Sequence, residues 1–127
     1  MDERTAADMN TALKYLIKLT QARELAWQKD TKRNAWMSRL ETHLCFELRK
    51  DEGGRKYVQV ENLKFLYGGG MKTFSVCTGG INEDLFDNLW TVIEGNKVSS
   101  LVSDLLSILQ AKEKVYNEIR TYKLYRN

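Results

Sequence analysis

Apolar residues near the N-terminus recur every three or four positions, which is the period of an α-helix. The residues that share one stripe of this helix are Met9, Leu13, Leu16 and Ile17. Thr5 precedes this run and is followed three residues later by Asp8, so it offers an N-cap with an acid in the first turn, where the helix dipole favours negative charge. The spacing therefore predicts a helical N-terminal segment of residues 1–24, in which the helix itself runs from its cap at Thr5 to about Glu24.

The middle of the chain changes to a period of two, which is typical of β-strands with one buried face. Leu44, Phe46 and Leu48 alternate with polar residues, and the same alternation returns after the glycine turn at 51–55. Further short strands are predicted at 63–67 and 71–77, and Trp27 is assigned to the first strand. Because the connecting turns are short, antiparallel pairing is favoured. Residues 25–78 are predicted to form an antiparallel sheet of four or five strands.

Helical spacing returns in the last third of the chain, where two helices are predicted. The first spans 82–95, with Asn82 as its N-cap and Gly95 at its C-terminal end. The second spans 99–122 and ends in a basic tail; the core-facing part of its stripe is Leu101, Val102, Leu105, Ile108 and Leu109. After Leu109 the stripe thins to Val115, Tyr116, Ile119 and Tyr122, which is compatible with a helix that extends past the core. The predicted fold class is α+β: an antiparallel meander packed on one face by one N-terminal and two C-terminal helices, in a single domain of residues 1–127.

Composition restricts the broad class of protein. Of 127 residues, 43% are hydrophobic and 29% are charged, which is the balance of a soluble globular domain. The sequence holds no apolar run long enough for a bilayer and no secretory leader, so a cytoplasmic protein without a membrane partner is expected. A net charge of +3 permits an anionic partner but does not require one.

The glycine-rich stretches do not have the spacing of a phosphate-binding loop. Gly68–Gly70 lead into a strand-like segment and are interpreted as a hairpin turn. Gly79 and Gly80 precede a helix, but Glu83 and two further acids lie at its N-terminus, where they would repel a phosphate group. A nucleotide-binding loop is therefore not predicted.

Metal and nucleophilic chemistry have few candidate residues. His43 is the only histidine, and Cys45 and Cys77 are the only cysteines, which is fewer than the four ligands of a structural zinc site. Both cysteines lie in apolar strands and are interpreted as reduced core thiols. No pair of carboxylates is spaced as a general acid and base. The sequence therefore predicts no metal, no cofactor, no catalytic residue and no enzymatic activity.

Two surfaces are candidates for binding. The C-terminal segment combines tyrosines with arginines, which are favoured at protein interfaces; the candidate residues are Tyr116, Arg120, Tyr122, Tyr125 and Arg126. The turns of the meander carry basic residues among aromatics such as Trp27, Trp36 and Tyr57, a combination that can hold phosphates and stack bases. The basic candidates are Lys32, Arg33, Arg55, Lys56, Lys64 and Lys72. The same tryptophans also fit a core between sheet and helices.

Four stretches together resemble small uncharacterised modules of bacterial and phage genomes, built from a helix, a β-meander and two further helices. The stretches are "LIKLT" at 16–20, "LAW" at 25–27, "LFDNLWTVIE" at 85–94 and "VSSLVSDLLSIL" at 98–109. The resemblance spans most of residues 13–109 and lies in hydrophobic spacing. It implies an interaction or regulatory role, such as that of a small inhibitor or accessory protein, and it carries over no active site.

The sequence thus favours a non-enzymatic protein-binding module, in which a protein partner contacts the C-terminal helix and the exposed face of the sheet. The alternative is binding of nucleic acid or a nucleotide through the basic turns. The pattern is also compatible with a homodimer.

Overall fold

The computed structural model describes residues 2–41, 43–62 and 72–125, with 72–77 and 123–125 described by their backbone alone. The elements in chain order are α1 (Glu3–Gln21), β1 (Gln28–Asp30), β2 (Ala35–Leu40), β3 (Leu44–Lys50), β4 (Lys56–Asn62), β5 (Lys72–Cys77), a 3-10 turn (Thr78–Gly80) and α2 (Glu83–Tyr125). The α+β class and the antiparallel sheet between an N-terminal and a C-terminal helix agree with the sequence prediction.

Helix α1 begins earlier than the sequence predicts. Its N-cap is Asp2, whose Oδ1 accepts a hydrogen bond of 2.7 Å from the backbone N–H of Thr5. Thr5 was predicted as the cap and instead lies in the first turn, because an aspartate oxygen three residues earlier already satisfies its backbone N–H. The same hydrogen bond lowers the pKa of the Asp2 carboxyl below its ordinary value. The helix ends at Gln21, three residues short of the predicted end, and Arg23 follows with a positive φ of 60°.

The five strands form a simple antiparallel meander in the order β1-β2-β3-β4-β5. The predicted glycine turn between β3 and β4 is present, and Gly54 adopts a φ of 80° that favours glycine. Trp27, which was assigned to the first strand, lies immediately before it, since pairing with β2 begins at Gln28. The predicted strand at 63–67 and the turn at Gly68–Gly70 lie outside the described residues.

One face of the sheet and two helical segments form a common core. Trp36, Leu48 and Val58 stand opposite one another in β2, β3 and β4, so their side chains share this face. The other members of the buried cluster come from α1, from the segment before β1, from β3, from the connection that precedes α2 and from the start of α2; they are Leu13, Ile17, Trp27, Phe46, Ile81, Phe86, Leu89, Trp90 and Ile93. All three tryptophans are buried, with Trp27 at 3%, Trp36 at 7% and Trp90 at 5% of their surface exposed.

Helix α2 runs through the position at which the sequence predicts a break. Asn82 caps its start as predicted, since the Oδ1 of Asn82 accepts a hydrogen bond of 2.9 Å from the Asp84 N–H. The helix then continues without interruption to Tyr125, so the predicted pair of helices at 82–95 and 99–122 is wrong. Gly95 does not adopt the left-handed conformation of a helix-ending glycine, and the space around its Cα is open. A single glycine in a helix interior costs only about 1 kcal/mol, which the flanking turns offset.

The chain divides into two compact units, residues 1–94 and residues 95–127. The first unit contains α1, the sheet and the first turns of α2, and it holds the whole of the buried cluster. The second unit consists of the remainder of α2. Among the helices of the described chain, none is both long and apolar enough to cross a membrane.

Candidate protein-binding surface

The second unit carries a large number of apolar side chains on a helix whose residues are almost all exposed. Between 95 and 122 only Asn96 is partly buried. Eleven large apolar side chains in this segment are between 51% and 69% exposed, and they are Val98, Leu101, Val102, Leu105, Leu106, Ile108, Leu109, Val115, Tyr116, Ile119 and Tyr122. Scattered exposed apolar residues are normal on a protein surface, but a continuous group of this size is a sign of a binding site.

This exposure corrects one sequence prediction. Leu101, Leu105 and Ile108 were predicted to face the core, yet they are 69%, 55% and 56% exposed. The helical period shows which residues share a face, but it does not show what covers that face. The core of the first unit is filled by apolar side chains from within residues 13–93, so the stripe beyond Gly95 is not needed to close it.

The predicted partner-binding residues lie on this exposed segment as far as the structure describes them. Tyr116 and Tyr122 are 65% and 62% exposed, and Arg120 is also exposed. Tyr116 and Arg120 are four residues apart, so they are neighbours on the helix surface. Tyr125 is the last residue of α2 but its side chain is not described, and Arg126 lies outside the described residues. The aliphatic residues from Val98 to Leu109 were not predicted as part of this surface.

The sheet face opposite the core is a second surface, and it is polar and of mixed charge. A shallow cavity of about 650 Å³ is lined there by residues that include Met37, Arg39, Glu47 and Glu61. The buried carboxylate of Glu47 lies 2.7 Å from the Arg33 guanidinium, so this pair neutralises itself. Because the charges of Arg33 and Glu47 compensate one another, this pair offers little net charge with which to bind a charged ligand.

Cys45 lies on this polar face and not in the core as the sequence predicted. It stands opposite Arg39 and Glu61 in the neighbouring strands, is half-buried, and carries a free thiol. The Sγ of Cys45 accepts a hydrogen bond of 3.3 Å from the Nε of Arg39. The alternation in β3 placed Phe46 on the apolar face, which requires Cys45 to point the other way. The side chain of Cys77 is not described.

The basic residues predicted to bind nucleic acid do not form one cluster. Lys32 and Arg33 in the β1–β2 turn lie at the same end of the meander as Arg55 and Lys56, which adjoin the β3–β4 turn. Lys72 pairs with Asn62 at the opposite end of β4, about 20 Å away at the rise of a β-strand. Lys64 lies outside the described residues.

Acidic side chains accompany the basic residues at this end of the sheet. Lys56 Nζ donates to the carboxylate of Asp87, with the nearer oxygen 2.7 Å away. This hydrogen bond raises the pKa of Lys56 above its ordinary value, although partial burial opposes the shift. The Oδ1 of Asp30 accepts hydrogen bonds from the backbone N–H groups of Lys32 and Arg33. The surface therefore alternates in sign and is not a basic patch.

The aromatic residues of the meander also make contacts within the protein. Trp27 and Trp36 are buried, so their rings offer no platform on which a base could stack. Tyr57 is half-buried, and its ring is covered by the guanidinium of Arg49 at 4.7 Å from the centroid. Among the described residues, no group of three metal-ligating side chains comes together.

No family model matches the chain, and neither the curated proteins nor the solved structures contain a significant match to it.

Proposed function

We propose that this protein is a non-enzymatic protein-binding module that acts through the apolar face of residues 98–122. The observation that supports the proposal is the exposure of eleven large apolar side chains on this single helical segment. A small bacterial or phage accessory or inhibitor protein is the class of molecule that this activity fits. Its effect would follow from occupying a surface of its target.

The size of the exposed group favours a specific interface. Eleven side chains that are half-exposed or more present on the order of 1,000 Å² of surface, which is more than the largest apolar patch of a typical monomer. A standard protein–protein interface buries about 800 Å² on each partner. The stability of a helix in a protein comes mainly from packing its apolar face against another surface. A partner on this face would therefore stabilise the helix that it recognises.

The two ends of the segment differ in chemistry. Val98 to Leu109 are aliphatic, whereas Tyr116, Arg120 and Tyr122 combine aromatic and cationic groups. Tyrosine and arginine are enriched among residues whose loss weakens an interface most. The aliphatic half would supply buried area, and the aromatic half would supply anchors with polar ends that select the partner.

Nucleic-acid or nucleotide binding has weaker support in this structure. A nucleic-acid site requires basic groups of one sign along a groove or face. Arg33 and Lys56 each form an ion pair with a carboxylate, and Lys72 lies at the other end of the sheet. We therefore base the proposal on the C-terminal helix.

Affinity purification from the native host with three forms of the chain tests the proposal. The forms are the wild type, a variant with Leu105→Glu and Ile108→Glu, and a control with Ser103→Glu and Ser107→Glu, two exposed serines outside the apolar group. Both variants add two carboxylates to adjacent turns of the same helix. We expect the wild type and the control to retain the same partner and the first variant to lose it by about tenfold or more, since a buried glutamate in an apolar interface is strongly disfavoured.

The intrinsic tryptophan fluorescence of each form reports on the fold of the first unit, because Trp27, Trp36 and Trp90 all lie there. Equal fluorescence spectra show that lost capture is not due to unfolding. Equal capture by all three forms, or no partner for any of them, would remove the proposal. If the first variant alone loses the partner, the variants Tyr116→Ala and Tyr122→Ala show which tyrosines anchor the interface.

A further inference from the structure

Seven of the eleven exposed apolar residues of α2 lie on a seven-residue repeat, and Lys112 occupies its remaining position. The eight positions alternate between steps of three and four along the helix, and they are Val98, Leu101, Leu105, Ile108, Lys112, Val115, Ile119 and Tyr122. We call these eight residues the heptad seam. Val98, Leu105, Lys112 and Ile119 form one set at seven-residue intervals, and the remaining four form the second set. A sustained repeat of this kind is the signature of a helix that winds around another helix.

A heptad repeat restricts the partner more than an apolar face without a regular repeat does. A partner packed on the heptad seam has to present the same seven-residue period, because knobs of one helix fit into holes of the other at matching intervals. Seven of the eight positions are apolar, and all seven are between 51% and 69% exposed. The seam continues over four heptads, which is long enough for a stable coiled coil.

We infer that the heptad seam binds a second copy of this chain, so that the protein self-associates through α2. The inference rests on the proposed protein-binding function and specifies its partner. A second copy supplies a helix of the required period and length. The seven apolar seam residues are about two thirds of the exposed group and present roughly 700 Å² on each chain, which is close to the area of about 800 Å² that each partner buries in a standard interface.

The charge of the segment permits this pairing. Between residues 98 and 122, three basic residues, Lys112, Lys114 and Arg120, are opposed by three acidic residues, Asp104, Glu113 and Glu118. The segment is thus nearly neutral, and two copies do not repel one another strongly. A strongly charged helix would instead indicate a partner of opposite sign.

Lys112 is the single charged residue of the heptad seam. A lysine at such a position lowers the stability of the assembly but restricts the register and the number of helices. Replacing it by leucine would give an unbroken apolar seam. The variant Lys112→Leu should therefore strengthen self-association, whereas a helix that stays monomeric would gain only an additional exposed leucine.

Sedimentation equilibrium of the full-length chain over a wide concentration range tests the inference. We expect the wild type to reach at least twice the 14.8 kDa mass of the chain. Leu105→Glu should weaken association by about a hundredfold, because it places a carboxylate in the seam. Leu106→Glu is the matched control: the two leucines are neighbours and are 55% and 53% exposed, but only Leu105 lies in the seam. Lys112→Leu should tighten association by about tenfold.

The outcomes separate the inference from the function on which it rests. Equal weakening by Leu105→Glu and Leu106→Glu overturns the heptad seam as the surface through which the chains associate. A wild type that remains a monomer at every concentration overturns self-association. If such a monomer still captures a host protein in a manner that depends on Leu105 and Ile108, the proposed function stands with a different partner. If it neither self-associates nor captures a protein, both are overturned.

Discussion

Leu48 and Leu105 are identical in chemistry and opposite in environment. Leu48 lies in β3 of the first unit and has none of its surface exposed, whereas Leu105 lies in the second unit and is 55% exposed. The contrast holds for the two units in general. Among the described residues up to 94, Tyr15 is the one strongly exposed large apolar side chain and the buried ones form one cluster, whereas eleven such side chains between 95 and 122 are exposed.

This difference indicates which unit is complete as a folded body. In the first unit, apolar residues from α1, the strands and the start of α2 close a core around the tryptophans. The second unit carries as many large apolar side chains as a buried helix does, but these side chains are exposed. An apolar surface that folding does not cover is available for association, and this is the property on which the proposed function rests.

The same substitution in both leucines should give the largest contrast. Leu48→Ala removes fully buried atoms and should lower the free energy of unfolding by about 2–5 kcal/mol. Leu105→Ala should change the unfolding free energy of the first unit by less than about 0.5 kcal/mol, as is usual for surface positions. Urea denaturation followed by tryptophan fluorescence measures this free energy, since all three tryptophans report on the first unit.

The comparison would fail if Leu105→Ala destabilised the first unit as much as Leu48→Ala does. Such a result would mean that residues beyond Gly95 contribute to the tryptophan-containing core. Leu106→Ala is a second control, since its side chain is 53% exposed and lies outside the heptad seam.

A second pair of identical substitutions tests a polar contact inside the complete unit. The hydroxyl of Thr20 accepts a hydrogen bond of 3.0 Å from the indole N–H of Trp27 and donates one of 2.6 Å to the Leu16 carbonyl. Thr20→Val keeps the volume but leaves the indole N–H of Trp27 unpaired in the core. We expect it to lower the free energy of unfolding by about 1–3 kcal/mol.

Thr11 offers the control on the same helix. Its hydroxyl donates a hydrogen bond of 3.0 Å to the Ala7 carbonyl, which is the same local contact at an exposed position. Thr11→Val should alter stability by less than about 0.5 kcal/mol. If both valine variants behaved alike in urea denaturation, the helix backbone contact and not the bond to Trp27 would explain the effect.

Sequence reasoning predicted the meander well because each strand carries its own evidence. Phe46 and Leu48 alternate with polar residues, and Gly54 lies where the chain turns with a positive φ. These signals are local, so they need no knowledge of the rest of the chain. The same alternation also predicts that Cys45 lies opposite to Phe46, although its apolar context suggested a core thiol.

The candidate surface was predicted only in part, for a physical reason. Tyr116 and Tyr122 were identified from their residue type, since tyrosine is favoured at interfaces. Leu101 and Ile108 were assigned to the core, because a leucine-rich stripe has the same period whether it packs in a domain or against another chain. Only the extent of the closed cluster distinguishes the two cases, and that depends on contacts between distant residues.

Gly95 shows why the end of a helix is difficult to predict from sequence. A substitution at this position should also have the smallest of the predicted effects. Glycine after an apolar stripe is a common helix end, and for this reason the sequence predicted a break there. The structure places Gly95 inside α2, with ordinary helical backbone and open space for a Cβ. Gly95→Ala should then stabilise the helix around it by about 0.5–1 kcal/mol, because alanine loses less backbone entropy than glycine.

Hydrogen exchange at the amides of residues 96–100 measures this change directly. In a continuous helix, Gly95→Ala should slow their exchange by about two- to fivefold, which is the ratio that corresponds to the gain in helix stability. At a helix end with left-handed glycine, the same substitution would introduce a strained Cβ and speed exchange instead. The sign of the effect therefore decides whether the exposed second unit continues the helix that begins in the core of the first.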